Sequence, residues 1–257
     1  ILSWEMTSLV ITAAGKASRF HDVGYDQPKY LLPWINSRSI LNNIIAELAF
    51  SNLIDYVLVI VNKREQFFEG KIRSELPDGI KSDILFVRDT MGQAHTTLLG
   101  VEEIRKKGLG EDQFIMHNSD TILKNRNIKN LTNFSSDEKV IGFVDTFQSN
   151  NKAYSYVLES GGILKRFLEK ETISPMASSG LISFKSANLF LEIYNNYSYK
   201  IDNTSEIYMS KFIDCSTQDG DIYKVNYNPE IADTIVLGTP EEYCLSYTIN
   251  STGIKGT

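Results

Sequence analysis

Apolar segments of strand length alternate with amphipathic segments of helix length through the first half of the chain. The predicted strands are Leu9–Thr12, Tyr56–Val61, Ile84–Val87 and Gln113–His117, and the predicted helices are Ser39–Ala49, Glu65–Leu76 and His95–Lys107. Strands that are joined through helices usually pair in parallel, because the crossover returns the chain to the edge of the sheet that it left. The alternation therefore predicts an α/β fold with a mainly parallel central sheet.

The second half, from about residue 139, has shorter runs in which apolar and polar residues alternate. The predicted elements are strands at Val140–Asp145, Tyr154–Glu159, Ile163–Glu169 and Gly180–Lys185, a helix at Ser186–Tyr197, an apolar segment at Ile207–Ile213 and a strand at Asp221–Tyr227. No internal repeat or low-complexity linker divides the chain. We expect a single domain over residues 6–245, with halves at about 6–138 and 139–245 and a cleft between them.

The charge balance argues against two classes of partner. The chain has 26 Lys and Arg residues against 32 Asp and Glu, a formal net charge of −6. Because nucleic acids and anionic membranes attract basic proteins, we expect neither as a partner.

Cysteine use and hydropathy bear on the compartment. Cys215 and Cys244 are far apart in the sequence and lack the CxxC spacing of a zinc site. Two isolated cysteines are typical of a protein in a reducing compartment. The apolar runs are too short to cross a bilayer, and residues 1–5 show no basic segment leading into an apolar one. We expect a soluble, cytoplasmic protein.

A loop of small residues follows the first predicted strand. It runs from Ala13 to Ser18, Arg19 comes directly after it, and Lys29 lies ten residues further on. Small residues let the backbone approach phosphate oxygens, and exposed N–H groups with fixed positive charge stabilise the anion. The alternative is an ordinary tight turn between strand and helix, with Arg19 and Lys29 as solvated surface charges.

The complete string from Leu9 to Trp34, LVITAAGKASRFHDVGYDQPKYLLPW, resembles the pattern LAAGxGxRx…PKxLLP of the sugar-nucleotidyltransferase family. This family comprises nucleoside diphosphate-sugar pyrophosphorylases and related cytidylyltransferases. The resemblance implies a Rossmann-like α/β/α sandwich of the GT-A-like kind, with a nucleotide-binding first half and an acceptor-binding second half. It assigns catalytic roles to Arg19 and Lys29 and nucleotide binding to Ala13, Ala14, Gly15 and Ser18.

Asp120 follows the predicted strand Gln113–His117, at the edge where open α/β sheets bind ligands. An Asp at the end of a strand is also a common turn former or helix cap. The segment from Ile115 to Thr121 resembles the family segment VxxGD, whose Asp holds the catalytic magnesium. Mg²⁺ binds through few carboxylates together with substrate phosphates, so one Asp is compatible with this role.

Three later segments resemble further family motifs. Met91 to His95 resembles the GTAxA turn along the nucleoside base, which implies that Gly92 and Gln93 bind the nucleotide. Phe167 to Lys170 resembles the FxEK segment and Glu206 to Tyr208 a Glu–Phe/Tyr–Tyr segment, which implies that Glu169, Lys170 and Glu206 face the acceptor. From the residues alone, Glu169 and Lys170 also fit an exposed ion pair, and Tyr208 also fits an aromatic anchor in the core.

One motif departs from the family pattern. Leu237 to Tyr243 matches the end of DxGTPEDY, but Val236 replaces the leading Asp, which often supplies a second metal carboxylate. Asp233 is the nearest acidic residue before it, and we expect it as the substitute metal ligand. An ordinary loop role for Asp233 stays open.

The resemblance implies an Mg²⁺-dependent nucleotidyltransferase. Its substrates would be a nucleoside triphosphate (CTP, UTP, dTTP or GTP) and a phosphorylated small acceptor, either a sugar 1-phosphate or a phosphocholine-like or other phosphomonoester. Pyrophosphate would be released. The richness in Asn, Lys and Ile, in a single short domain, favours a role in bacterial surface polysaccharide synthesis. The alternatives are a glycosyltransferase of GT-A fold and a non-catalytic nucleotide-binding sensor, and the sequence leaves the oligomeric state open.

Overall fold

The computed structural model describes residues 6–201 and 206–252. Its strands are β1 (Thr7–Ala13), β2 (Tyr56–Asn62), β3 (Lys81–Val87), β4 (Gln113–Asn118), β5 (Thr121–Leu123), β6 (Val140–Gln148), β7 (Tyr156–Ser160), β8 (Ile163–Leu168), β9 (Met176–Phe184), β10 (Ile222–Asn228) and β11 (Thr234–Val236). Its α-helices are α1 (Ser18–Asp22), α2 (Ile40–Ala49), α3 (Glu69–Glu75), α4 (Gln93–Lys106), α5 (Ile128–Leu131), α6 (Ala187–Tyr197), α7 (Met209–Gln218) and α8 (Pro240–Thr252).

Within the described residues, one sheet of nine strands has the order β3-β2-β1-β4-β9-β6-β10-β8-β7. Strands β3, β2, β1 and β4 pair in parallel. Strand β9 is antiparallel to both β4 and β6, so β6 has the same direction as β4. Seven of these nine strands therefore share one direction, and the two reversed strands, β8 and β9, both lie in the second half, where short hairpin connections replace helical crossovers.

Helices cover both faces of the sheet. Along β1, Leu9 and Ile11 pack with α2 on one face, whereas Val10 packs with α4, α6 and α7 on the other. Successive strand residues point to opposite faces, so this uninterrupted apolar run is what a strand buried on both sides requires. The α/β sandwich predicted from the sequence is confirmed.

Local details differ from the predictions, and the helices α1, α5 and α8 were not predicted. The predicted helix over 65–76 is a 3₁₀ segment, Lys63–Phe68, followed by α3, and the Asn62 side chain accepts a hydrogen bond from the Arg64 N–H at its start. The short strands β5 and β11 were not predicted; they pair with each other outside the large sheet. In the described part of the chain, no helix has the length and apolar character needed to span a membrane.

Candidate active site

A cleft of about 900 Å³ opens at the carboxyl ends of β1 and β4. These strands are parallel neighbours, with Thr12 opposite Asn118, so the loops that follow them lie side by side. Open α/β sheets bind ligands at this edge. The predicted site residues that line the cleft are Ala13, Ala14, Gly15, Ser18, Arg19, Lys29, Gly92, Gln93, Asp120, Glu169, Lys170 and Glu206.

The loop after β1 forms part of the first wall of the cleft. Ala14 is buried, whereas Gly15 and Arg19 are exposed. Ala17 has a left-handed φ of +47°, which turns the chain just before α1 begins. A Cβ atom on Gly15 would meet no atom within 4 Å. The wall thus presents backbone and small side chains ahead of the Arg19 guanidinium, which leaves room for a bulky anion.

An ion pair links Lys29 to the end of β4. The Lys29 Nζ lies 2.5 Å from Asp120 Oδ2, and both side chains are partly buried. Burial alone would raise the pKa of Asp120, but the charge and hydrogen bond of Lys29 hold it below its usual value. Asp120 is therefore a carboxylate at neutral pH.

Two oxygen atoms near the end of β4 are poorly satisfied. Asp120 Oδ1 accepts a long hydrogen bond from Thr121 Oγ1, at 3.4 Å. Asn118 Oδ1 is buried and has no hydrogen-bond partner among the described residues. The Asn118 amide is held against the backbone of Gly180, where a Cβ atom would lie 2.3 Å from Asn118 Nδ2. A buried oxygen without a partner, as Asn118 Oδ1 is, needs an explanation, and a bound cation is one.

A buried ion pair supports the β5–β11 sheet that follows Asp120. Arg126 Nε donates to Asp145 Oδ2 at 2.8 Å, and the two side chains are 2% and 0% exposed. Asp145 also accepts hydrogen bonds from Ser179 and Asn226, and Arg126 donates to Thr234 Oγ1 at 2.6 Å. Because buried charges must be fully paired, this network fixes β5 and β11 against β6 and β9.

The turn at Met91 to Gln93 is bound to a segment of the second half that we call the 206–208 strap (Glu206, Ile207 and Tyr208). Ile207 N donates to Met91 O at 2.6 Å, and Ala94 N donates to Ile207 O at 3.2 Å. Gly92 has a φ of +128°, and a Cβ atom there would lie 2.7 Å from both Ile207 N and Ile207 O. Only glycine fits this contact between the two halves.

The second wall of the cleft has a carboxylate and an ammonium group. Glu169 follows β8, and its carboxylate accepts hydrogen bonds from Ser155 and Ser210. Lys170 has a left-handed φ of +56°, and its Nζ donates to the Tyr208 hydroxyl at 2.9 Å. This hydrogen bond raises the pKa of Lys170, so the ammonium form is retained.

The structure corrects the prediction that Asp233 is a metal ligand. Asp233 does not line the cleft; its Oδ1 accepts a hydrogen bond from Asn125 Nδ2 at 3.0 Å. In the β5–β11 pair, Val236 lies opposite Thr121, next to Asp120, whereas Asp233 lies beyond the far end of β11. At about 3.3 Å per residue, the offset of three residues carries Asp233 about 10 Å away from the position of Val236.

A family model described as nucleotidyl transferase matches residues 8–225. The chain belongs to the nucleotidyl transferase family. Enzymes of this family transfer nucleotidyl groups, and the small-residue loop, Lys29 and Asp120 of the cleft lie within the matched residues.

Solved structures share the fold over nearly the whole of this nucleotidyltransferase chain. A nucleoside-diphosphate-sugar pyrophosphorylase from Vibrio cholerae RC9 is 26% identical, with a TM-score of 0.76 and coverage of 93% of this chain and 99% of that one. A putative glucose-1-phosphate thymidylyltransferase from Bacillus anthracis is 16% identical, with a TM-score of 0.76 and 98% coverage of both chains. An inositol-1-phosphate CTP transferase from T. maritima is 14% identical, with a TM-score of 0.74 and coverage of 99% and 100%. No curated protein matches the chain in sequence.

The cleft of this nucleotidyltransferase holds a carboxylate that sequence reasoning missed. Glu242 Oε1 accepts from the Tyr154 hydroxyl at 3.2 Å, and Glu242 Oε2 accepts from Thr239 N at 2.9 Å. Burial and the nearby Glu242 charge raise the pKa of Tyr154 to about 12. Glu242 N donates in turn to Thr239 Oγ1, which completes a capping box at the start of α8. The Thr-x-x-Glu spacing was the sequence signal for it.

Val236 also lines the cleft, in the place of the family Asp. Its side chain packs against the small apolar cluster that contains Phe147 and Tyr154. The cleft is thus apolar and aromatic at the position where the family pattern has a carboxylate.

Proposed function

We propose that this nucleotidyltransferase joins a nucleoside triphosphate (CTP, UTP, dTTP or GTP) to the phosphate of a small acceptor and releases pyrophosphate. The acceptor is a sugar 1-phosphate or another small phosphomonoester, including the phosphocholine-like class. The observation that carries the proposal is one cleft in which Arg19, Lys29 and Lys170 are collected together with the Asp120 carboxylate. Lys16 also lines the cleft, so four cationic side chains are present beside six carboxylates. The cations therefore act as individual partners for the phosphates of two substrates, through charge-assisted hydrogen bonds, and not as a net positive charge.

The first wall binds the triphosphate in this proposal. Backbone amides at Ala14, Gly15 and Ser18 contact the phosphates, and the open space at Gly15 accommodates them. Arg19 binds the departing pyrophosphate, and Lys29 lies nearer the phosphoryl group that is transferred. Gly92 and Gln93 lie along the nucleoside base.

The residues around Asp120 fit a magnesium ion that is also bound by substrate phosphates. Asp120 offers one carboxylate oxygen, and the unsatisfied Asn118 Oδ1 is a second hard oxygen at the end of the same strand. No group of three or more His, Cys, Asp or Glu residues suited to a metal occurs among residues 6–201 and 206–252. Mg²⁺ keeps few protein ligands and takes phosphate oxygens and water as the others, which matches this sparse set. When bound, Mg²⁺ supplies charge stabilisation to the phosphates.

The second wall binds the acceptor. Lys170 pairs with the acceptor phosphate, and Glu169, held by Ser155 and Ser210, accepts hydrogen bonds from the rest of the acceptor. An oxygen of the acceptor phosphate attacks the α-phosphorus of the triphosphate. The new P–O bond forms while the bond to the β-phosphate oxygen breaks, and its electron pair leaves with pyrophosphate.

No general base is needed for this step, because a phosphomonoester is already an anion at neutral pH. The chain therefore acts by alignment and by stabilising charge. Arg19 and Lys29 oppose the charge that develops on the leaving group, and the two walls hold the reacting atoms in line.

We also propose that the protein acts in the bacterial cytoplasm in surface polysaccharide synthesis. Free thiols at Cys215 and Cys244 support a reducing compartment. The role in polysaccharide synthesis rests on the richness of the chain in Asn, Lys and Ile.

The test is pyrophosphate release with Mg²⁺, using each of CTP, UTP, dTTP, GTP and ATP against a panel of sugar 1-phosphates, phosphocholine and other small phosphomonoesters. We expect release with one preferred pair and its loss on chelation of the metal. Sugar transfer from a sugar nucleotide without pyrophosphate release would instead indicate a glycosyltransferase.

One observation favours a second candidate function, a non-catalytic nucleotide sensor. Val236 places an apolar side chain in the cleft where the family pattern has a metal-binding Asp. A sensor binds a nucleotide in calorimetry yet releases no pyrophosphate with any acceptor of the panel. This result would contradict the transferase proposal.

A further inference from the structure

We propose that Tyr208 is a positioning residue that holds the Lys170 ammonium at the acceptor end of the cleft. The proposal rests on the function proposed above, in which Lys170 binds the acceptor phosphate. Tyr208 ends the segment that resembles Glu–Phe/Tyr–Tyr, in which the resemblance assigns the acceptor contact to Glu206, and from the residues alone Tyr208 also fits an aromatic anchor in the core.

The conformation of Lys170 indicates that its position is imposed. Its φ of +56° lies in the left-handed region, which a lysine rarely adopts. Residues held in such regions persist where the surroundings determine them, and they cluster at ligand sites. The side chain is exposed, so core packing does not explain the conformation. An exposed lysine samples many rotamers unless a partner fixes its ammonium group.

The Tyr208 hydroxyl provides that partner. It accepts a hydrogen bond from Lys170 Nζ at 2.9 Å and donates one to Glu206 Oε2, also at 2.9 Å. Donation to Glu206 commits the hydroxyl proton, so the oxygen lone pairs are left to face the lysine. Because the hydroxyl is neutral, it orients the ammonium without cancelling the charge that a phosphate needs.

The strap gives the Tyr208 ring a fixed place relative to the first half. Ile207, its neighbour in the 206–208 strap, is bonded through both its N–H and its carbonyl to the turn at Met91 to Ala94. The contact at Gly92 leaves no room for movement toward that turn. The acceptor lysine is thereby positioned from the same turn that is proposed to contact the nucleoside base, which sets the distance between the two substrates.

Tyr208→Phe tests the hydroxyl alone. The ring stays, and with it the contacts of the ring centroid with Lys170 Nζ at 4.9 Å and Lys211 Nζ at 5.9 Å. With the best substrate pair from the panel, we expect the KM for the acceptor to rise about tenfold, the loss typical of one hydrogen bond to a charged group. The KM for the nucleotide should stay within twofold of the parent value. Tyr199→Phe, at an exposed tyrosine outside the cleft, is the matched control and should change neither constant.

A double-mutant cycle with Lys170→Met makes the test specific. If Tyr208 acts through Lys170, adding Tyr208→Phe to Lys170→Met should raise the acceptor KM no further. Equal effects of Tyr208→Phe in both backgrounds, or an unchanged acceptor KM in the single variant, would overturn the positioning role while the transferase activity of the parent stands. Absence of pyrophosphate release in the parent itself would overturn the proposed function, and this inference with it.

Discussion

The two walls of the cleft are built in different ways. The first wall comes from residues that directly follow two neighbouring parallel strands: the loop after β1, with Arg19 just beyond it, and Asp120 after β4. The second wall is assembled from loops far apart in sequence, and its functional groups are held by side chains, as Glu169 is by Ser155 and Ser210. The end of a strand fixes the direction in which the next residue points. A side chain on a loop needs a hydrogen-bond partner to be held in one position.

In the proposed function, chemistry and specificity are separated between the walls. The first wall offers phosphate contacts that any nucleoside triphosphate can use, because all have the same phosphates. The second wall combines carboxylates with the aromatic cluster around Tyr154. In the proposed function this wall binds the acceptor, which differs from one substrate pair to another. Substitutions in the first wall should therefore act on turnover, and substitutions in the second on acceptor affinity.

The largest effect is expected for Asp120→Asn. The amide keeps the size of the side chain but removes the charge that pairs with Lys29 and that is proposed to hold Mg²⁺. We expect a loss of about 10³-fold or more in kcat, since charge stabilisation dominates phosphoryl chemistry. Pyrophosphate release at saturating substrates measures it, with circular dichroism to verify the fold. Turnover equal to that of the parent would show that Asp120 has no catalytic role. It would also contradict the proposal that the first wall carries the chemistry and the second wall the specificity.

Lys29→Met should have the next largest effect, about 10²-fold in kcat, because a fixed charge next to the transferred group is lost. It should also move the acid limb of the pH–rate profile upward, since Lys29 lowers the pKa of Asp120 and burial alone raises it. Lys63→Met, at an exposed lysine outside the cleft, is the control. An acid limb that stays in place would show that the titration of Asp120 does not limit the rate.

The sequence predicted more of the first wall than of the second, because strand ends set the positions in the first wall and contacts between distant residues set those in the second. The fold class, the loop after β1 and Asp120 could be predicted, because apolar periodicity locates the strands and each strand end places the next residues at the ligand-binding edge. The hydrogen bond between Lys170 and Tyr208 joins residues 38 positions apart, and no periodicity relates them. The buried Arg126–Asp145 pair was missed likewise, because charged residues near strands are usually solvated.

Gly92→Ala should disturb both walls at once. The new Cβ atom would lie 2.7 Å from Ile207 N and O, and the φ of +128° is unfavourable for alanine. We expect about a tenfold rise in KM for the nucleotide and for the acceptor, with a loss of about 1–3 kcal/mol in the free energy of unfolding. Gly70→Ala in α3, where a Cβ atom meets nothing within 4 Å, is the matched control and should leave both constants unchanged. A rise confined to the nucleotide would mean that the strap does not connect the walls.

The smallest effect is expected for Asp233→Asn, which makes the same chemical change as Asp120→Asn a few residues beyond the cleft. The Asp233 carboxylate accepts a hydrogen bond from Asn125, and an amide oxygen can accept the same bond. We expect kcat and the Mg²⁺ concentration at half-maximal rate to stay within twofold, and the free energy of unfolding within about 0.5 kcal/mol. In the register of β11 with β5, Val236 and not Asp233 lies next to Asp120. If Asp233→Asn changed kcat and the Mg²⁺ concentration at half-maximal rate as much as Asp120→Asn does, β11 would have to shift by several residues when substrates bind. Loss of turnover in Asp120→Asn, together with parental turnover in Asp233→Asn, would establish that the carboxylate at the end of β4 acts without Asp233 as a partner.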